Sequence, residues 1–203
     1  MSTRSTLVAA RPAMGAFAAM GAVWGAFAAT LPGIKEMLDV DEAQLGVLLL
    51  FTPLAAVSAM LIAPAIGARL GRVALPVAVG LTGLAFLLPG NAQLPWLFAA
   101  GMMVCGAMNG MLDVLMNART VQIEADNNLH LMNLAHATYS FGYAGAAIGA
   151  GFLRGQGWPP GWILGLVGIA ALVLALTTLE RDGTITGLRR PDTSAGGGGL
   201  GLV

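Results

Sequence analysis

The feature that most constrains this chain is a series of six apolar segments, each close to the length that a helix needs to cross a bilayer. Such a helix uses about 20 apolar residues. The segments are 13–34, 44–66, 73–91, 96–118, 134–153 and 161–179. Their hydrophobicity is continuous rather than alternating, which favours helices over the strands of a membrane barrel. The sequence therefore predicts an all-α membrane protein with a bundle of six transmembrane helices.

Charge and cysteine usage exclude several classes of function. Only 10% of the 203 residues are charged and the net charge is zero, whereas soluble chains carry charge on about a quarter of their residues. Nucleic-acid binding needs a basic surface, so the zero net charge argues against nucleic acid as a partner. The low proportion of charged residues makes the lipid bilayer the expected partner. Cys105 is the single cysteine, and His130 and His136 do not have the spacing of zinc ligands. We expect no metal and no cofactor.

The distribution of basic residues predicts the topology. If the N-terminus is cytoplasmic, the outer side carries only Lys35 and Arg154. The remaining basic residues then lie on the cytoplasmic side, as the positive-inside rule requires: Arg4, Arg11, Arg69, Arg72, Arg119, Arg181, Arg189 and Arg190. The same topology places three tryptophans at the outer interface: Trp96, Trp158 and Trp162. We expect both termini to be cytoplasmic, in a bacterial inner membrane.

Three regions follow from this topology. Residues 1–12 form a cytoplasmic N-terminus, 13–179 form the six-span bundle, and 180–203 form a cytoplasmic tail. The tail has no amphipathic period and contains a glycine run, which predicts a flexible segment.

Two local sequence patterns predict where one helix begins and where helices pack closely. Asp41, followed three residues later by Gln44, predicts a capping box at the start of the second span. Pairs of glycines four residues apart predict close helix–helix packing. These pairs are Gly21/Gly25, Gly106/Gly110, Gly145/Gly149 and Gly161/Gly165.

A polar stripe crosses the apolar fourth span. Asn109, Asp113 and Asn117 lie within an arc of about 80° on a helix. An uncompensated acid at membrane depth costs about 2.5 kcal/mol or more, so Asp113 is expected to face a partner or a wet cavity. Beside a histidine it could bind and release a proton during a transport cycle. The alternative is that Asp113 forms a hydrogen bond that only holds helices together.

A second polar stripe begins the fifth span. His136, Tyr139, Ser140 and Tyr143 have the i, i+3, i+4, i+7 spacing of one helix face. The fourth and fifth spans are antiparallel neighbours along the chain, so we expect the two stripes to face each other at similar depth. The alternative is that these residues have structural roles. Tyr139 and Tyr143 would then only pack against neighbouring helices, and His136 would cap its helix or lie at the level of the lipid headgroups.

The polar residues do not form a pattern typical of an enzyme. Ser140 and His136 are four residues apart on one helix, and the sequence has no G-x-S-x-G elbow. It also has no glycine loop of the kind that holds phosphate. We expect no catalytic residues.

Four stretches of the sequence carry a family resemblance. "WGAFAATLPGIKEMLDVDEAQLGVLLL" (24–50), "RLGR" (69–72), "GAMNGMLDVLMNA" (106–118) and "LMNLAHATYSFGYAGAAIGAG" (131–151) resemble the N-terminal half of a major facilitator superfamily transporter. Within that superfamily they are most similar to the fucose-permease-like and uncharacterised inner-membrane sugar-type permeases. The resemblance covers all six predicted spans.

The resemblance implies secondary transport of a small polar solute by alternating access. More specifically, it suggests that the solute is a sugar and that its transport is coupled to protons. Asp113 would accept a proton or a solute hydroxyl, Asn109 and Asn117 would bind the solute, and His136 and Tyr139 would complete the wall. Weaker candidates for the cavity are Trp24, Thr30, Ser140 and Tyr143.

The loop after the second span departs from the family pattern. Arg69, Gly71 and Arg72 match the family's gating loop G-x-x-x-D-R-x-G-R, but Ala68 and Pro64 replace its acid and its first glycine. A gating ion pair through that acid is therefore not expected.

Chain length is the largest departure, because the family has twelve spans in two six-span halves that hold the solute between them. We expect either a truncated product or fragment whose second half is elsewhere, or a homodimer in which a second copy supplies it. A non-transporting scaffold or an inactive truncated product is the alternative function.

Overall fold

The computed structural model describes residues 3–188, and most of this range is helical. The helices are α1 (Thr3–Leu38), α2 (Glu42–Leu49), α3 (Phe51–Leu70), α4 (Ala74–Ala85), α5 (Leu87–Gly90), α6 (Pro95–Asn127), α7 (Met132–Gly155) and α8 (Pro160–Thr177). Short 3-10 turns occupy Gly71–Val73 and Thr186–Leu188. The described part of the chain contains no strand, so the all-α class is confirmed.

Four helical stretches are long and apolar enough to cross a membrane. They are Thr6–Leu38, Glu42–Gly90, Pro95–Asn127 and Pro160–Thr177. The second stretch contains two of the predicted spans, and α7, which carries the second polar stripe, is not among the four. These helices support an integral membrane protein, and the number of six crossings stays a prediction.

Prolines explain two of the three interruptions inside the second stretch, and the third is the turn at Gly71–Val73. Pro53 has no N–H to donate to the carbonyl of Leu49. At Leu50 the α-helical hydrogen-bond pattern gives way to a tighter turn, in which the Leu50 N–H bonds to the Val47 carbonyl at 3.2 Å. Pro89 has the same effect on the carbonyl four residues before it, and the helix is interrupted at Phe86. The long apolar stretch is thus divided into short helices.

Local capping sets the helix ends as the sequence predicts. The Asp41 carboxylate accepts a hydrogen bond from the Gln44 backbone N–H at 2.8 Å, and the Gln44 side-chain oxygen accepts one from the Asp41 N–H at 3.0 Å. The predicted capping box is therefore confirmed. At the end of α3, Gly71 has φ +58°, a conformation that side chains with a Cβ rarely adopt.

The helices do not pack in chain order. α1 packs mainly against α7 and α8, α3 packs against α6, and α4 packs against α6 and α8. α6 and α7 follow each other in the chain but hardly touch, and α1 contacts both. α1 therefore lies between the two helices that carry the polar stripes.

Glycine brings α6 against α3 at backbone distance. A Cβ built on Gly106 would lie 2.9 Å from the carbonyl carbon of Thr52, and one on Gly110 would lie 2.9 Å from that of Ala56. Contacts this short are not tolerated, so a residue with a side chain would push the helices apart. The prediction of close packing at this glycine pair is confirmed.

The other glycine pairs differ in their surroundings. Gly21 and Gly25 lie against the α7 backbone in the same way. Gly145 and Gly149, on α7 itself, have open space beside them among the described residues. One glycine face of α7 thus remains uncovered.

Residues 179–188, which we call the post-α8 segment, fold back onto the end of the bundle where α1 begins. Arg11 donates from Nη2 to the Leu179 carbonyl at 2.6 Å, and Ile185 is buried. The tail predicted for 180–203 is described as far as 188, and this part packs against α3 and α6. The rest of that tail, with Arg189 and Arg190, lies outside the described residues.

Candidate functional site

The polar stripe of α6 is half-buried along its length, as the helical spacing predicts. Asn117 donates from Nδ2 to the backbone carbonyl of Asp113 at 2.8 Å and to its carboxylate oxygen at 3.2 Å. Both of these hydrogen bonds are within α6. Asp113 and Asn117 are therefore not bonded to another helix by these contacts.

Asn109 is the member of the stripe that bonds to another helix. The indole N–H of Trp24 on α1 donates to Asn109 Oδ1 at 2.6 Å. The Trp24 ring packs edge-to-face against Phe27 and Phe86, with ring centroids 5.7 and 5.2 Å away. These two rings hold the indole in place, so Trp24 and Asn109 form one fixed unit.

The polar stripe of α7 is mostly exposed and packs along α1 rather than α6. The rings of Tyr139 and Tyr143 lie 6.3 Å apart, and the His136 ring packs edge-on against Phe17 of α1 at 5.0 Å. Ser140 donates to the His136 carbonyl of its own helix at 3.1 Å. The two stripes flank α1 instead of facing each other directly across a helix–helix contact.

A cavity of about 510 Å³ joins residues from both stripes. Its polar lining comes from α1, α3, α6 and α7: Trp24, Thr52, Asn109, Tyr139 and Tyr143. The rest of the lining is apolar: Phe27, Ala28, Leu31, Leu49, Pro53, Ala56 and Met102. Its described lining includes no Asp, Glu, Lys, Arg or His. The arrangement suits a small, uncharged molecule with both polar and apolar faces.

Asp113 and His136 lie outside this lining but beside it. Asp113 is one helical turn from Asn109, and His136 is one turn from Tyr139, in both cases toward the end of the bundle that holds Arg11. A carboxylate and an imidazole thus border the same side of the cavity from α6 and α7.

Two other expected site residues have different surroundings. Thr30 is fully buried and donates to the Phe27 carbonyl of its own helix at 2.9 Å, so it does not line the cavity. Asn117 is not in the cavity lining either. In residues 3–188, no group of three or more His, Cys, Asp or Glu side chains is placed to hold a metal ion.

Comparison with protein families decides the affiliation of the chain. The family model described as Major Facilitator Superfamily matches residues 13–196. The chain belongs to the major facilitator superfamily. Searches of curated proteins and of solved structures gave no match. Membership implies membrane transport of small solutes, and the superfamily is one of transporters rather than of enzymes.

In this major facilitator protein the expected gating loop lies at the end of α3, away from the cavity. Arg69 and Arg72 are exposed, and Gly71 forms the positive-φ turn between them. The loop lies close to the post-α8 segment, since a Cβ on Gly183 would be 3.2 Å from the Arg72 carbonyl oxygen.

The structure adds two interactions that sequence reasoning missed. Arg119 of α6, which is buried, donates to both carboxylate oxygens of Glu180, from Nε at 2.9 Å and from Nη2 at 2.8 Å. Glu124, near the end of α6, accepts a hydrogen bond from the Met132 N–H at 2.8 Å and another from the Leu131 N–H. The first interaction anchors the post-α8 segment, and the second caps the start of α7.

No sequence signal could have identified either pair. The sequence indicates only a cytoplasmic positive charge at Arg119, because the partner of this side chain is 61 residues away. Glu124 lies at a helix end that sequence periodicity does not define. Both partners become known only once the helices are packed.

Proposed function

We propose that this chain is one half of a secondary transporter that moves a small polar solute, of the sugar type, by alternating access. The observation that carries the proposal is the cavity between α1, α3, α6 and α7, into whose wall the Trp24–Asn109 unit is built. A monosaccharide is small and uncharged, and it offers hydroxyl groups along its edge and C–H groups on its faces. The cavity lining has matching polar and aromatic groups.

We also propose that Asp113 couples transport to protons. The carboxyl group is half-buried, and at membrane depth it is costly to keep charged without a partner or water. Its hydrogen bonds to Asn117 are within α6, so they do not tie helices together. His136 supplies an imidazole one helical turn from Tyr139 of the cavity wall. This arrangement supports proton exchange better than a purely structural role.

The solute would be enclosed by a second six-span half. α7, which lines the cavity, has large exposed apolar side chains at Phe141, Ile148 and Phe152, and the glycine face at Gly145 and Gly149 is open. Small residues let another helix approach closely in a membrane. In the family arrangement, the solute lies between two such halves near the midplane.

The proposed orientation has both termini in the cytoplasm of a bacterial inner membrane, with six crossings. The Arg11–Leu179 hydrogen bond joins the beginning of the bundle to its end, as an even number of crossings requires. The excess of arginine at that end supports a cytoplasmic location.

Reconstitution in liposomes tests this function. Two proteins would be compared: the 203-residue chain alone, and the same chain joined to a second six-span half, which we call the joined protein. Each would be given a panel of radiolabelled monosaccharides, with a pH-sensitive dye inside the vesicles. We expect saturable uptake with acidification of the lumen by the joined protein. Uptake by the chain alone would support a homodimer. No uptake by either protein would contradict transport and favour a scaffold or an inactive product.

A further inference from the structure

The orientation of the Asn109 amide is fixed by chemistry. An indole N–H can only donate, so the atom of Asn109 that lies 2.6 Å from Trp24 Nε1 must be the amide oxygen. The amide nitrogen is then the group left for other partners. Among the described residues Asn109 Nδ2 makes no further hydrogen bond, and the side chain lines the cavity. The wall therefore presents two N–H donors at this point.

Thr52, on another helix of the cavity wall, contributes a buried hydroxyl next to the Asn109 site. Its side chain is 8% exposed, and its hydroxyl has no hydrogen-bond partner in the described part of the chain. A buried hydroxyl without a partner costs roughly 1–3 kcal/mol, so such groups are normally satisfied by a ligand or by water. Thr52 lines the same cavity as Asn109.

The absence of charged side chains from the described lining limits the charge of the solute that the cavity can bind. The described lining has no acidic or basic side chain that would pair with a charged group. A charged solute would lose hydration against this lining without gaining an ion pair from it, because Asp113 and His136 lie one helical turn away from the lining residues. An uncharged molecule whose oxygen accepts from Asn109 fits the donors that are present.

We propose that Trp24 is a positioning residue for solute binding. Its indole N–H holds the Asn109 amide with the NH2 group free for the solute, and the cavity thereby selects an uncharged solute that offers an oxygen acceptor at that point. This inference rests on the proposed transport function and specifies the chemistry of its site. Trp24 acts through Asn109, and the Phe27 and Phe86 rings fix the indole.

The first part of the test does not involve a solute. In the full chain labelled with [15N]tryptophan, the Trp24 indole signal is assigned by its loss in Trp24→Phe. Asn109→Leu removes the acceptor and is expected to move this signal upfield and to speed its exchange with water. Asn109→Asp retains an acceptor and should keep the signal near its original position. An unmoved signal in Asn109→Leu would overturn the positioning role, whatever the protein transports.

The second part uses D-galactose and its monodeoxy derivatives as probes, with binding measured on the joined protein. We expect at least one deoxy derivative to bind about tenfold more weakly than galactose, the effect of one lost hydrogen bond. This difference should fall below about twofold in Asn109→Leu and in Trp24→Phe, because the amide is lost or no longer held in place. Trp162→Phe, which changes an exposed tryptophan outside the cavity, is the matched control.

The outcomes separate the two proposals. A deoxy profile that is unchanged in Asn109→Leu would overturn the assignment of Asn109 as the hydrogen-bond partner of the solute. Preference for galactonate or galactosamine over galactose would overturn the assignment to an uncharged solute. A normal indole result combined with no binding of any probe would contradict the proposed sugar transport and leave the Trp24–Asn109 pairing established.

Discussion

Arg119 and Glu180 form a two-pronged ion pair that ties α6 to the post-α8 segment. The guanidinium lies 2.8 and 2.9 Å from the two carboxylate oxygens, and the side chains are only 8% and 20% exposed. Arg119 also approaches the Asp182 carbonyl at 3.4 Å. The pair lies at the end of the bundle where Arg11 bonds to Leu179. Two charged hydrogen bonds thus link this segment to α6.

Breaking this ion pair should destabilise the protein. Glu180→Gln leaves the Arg119 charge buried without its counter-ion, and we expect a loss of about 3 kcal/mol. Thermal unfolding in detergent, followed by the loss of monodisperse protein, measures the effect. The double variant Arg119→Met, Glu180→Leu removes both charges and should be closer to the wild type. A double variant less stable than Glu180→Gln would contradict this explanation.

Adding a methyl group where α6 meets α3 should also destabilise the bundle. In Gly106→Ala the new Cβ would collide with the Thr52 carbonyl, which is backbone and cannot rotate away, so we expect a loss of about 1–3 kcal/mol. Gly149→Ala is the matched control, since nothing lies within 4 Å of its new Cβ. Thermal unfolding compares the two. Equal loss in both variants would argue against close α3–α6 packing.

Gly149→Ala also tests whether a second six-span half packs against α7. If a second half packs on the open face of α7, Gly149→Ala should reduce binding of a separately expressed second half, while the stability of the chain alone stays unchanged. Size-exclusion chromatography of the mixture measures the first effect, and thermal unfolding of the chain alone measures the second. An effect on the separate chain alone would contradict the proposed interface.

Removing the carboxyl group of Asp113 should uncouple transport from protons. We expect Asp113→Asn in the joined protein to abolish acidification during uptake, while solute exchange without a gradient continues. The pH-sensitive dye and a counterflow assay measure the two activities separately, and Asp126→Asn, at an exposed acid on the same helix, is the control. If Asp113→Asn only lowers the amount of folded protein, Asp113 has a packing role.

The carboxylate of Glu124 should contribute to stability as the cap of α7. Glu124→Ala removes the acceptor for the Leu131 and Met132 N–H groups, and we expect a loss of about 1 kcal/mol. Hydrogen exchange of the first α7 amides should increase in this variant. Asp126→Asn again serves as the control. Unchanged protection of Met132 would show that this cap is not formed in solution.

Sequence reasoning succeeded where the deciding interactions are local or depend on hydrophobicity alone. The Asp41–Gln44 capping box needs residues only three positions apart, and the apolar segments follow from bilayer thickness. The stripe of Asn109, Asp113 and Asn117 needs only helical geometry. These features were found without knowledge of any helix–helix contact.

It could not identify the partners of these residues. Trp24 and Asn109 are 85 residues apart, and their hydrogen bond depends on α1 lying between α6 and α7. Sequence order makes α6 and α7 neighbours, and we therefore expected their stripes to face each other, whereas the packing places α1 between them. Thr30 has the polarity of a cavity residue, yet its hydroxyl bonds to its own helix.

The most direct test of the central claim is the initial rate of radiolabelled monosaccharide uptake into proteoliposomes that contain the joined protein, compared between the wild type and Asn109→Leu at equal protein amounts. If the cavity beside Trp24 is the solute site, the wild type transports at least one sugar of the panel and Asn109→Leu is at least about tenfold slower at low sugar concentration. Equal rates in the two proteins, or no uptake by the wild type, would contradict the account.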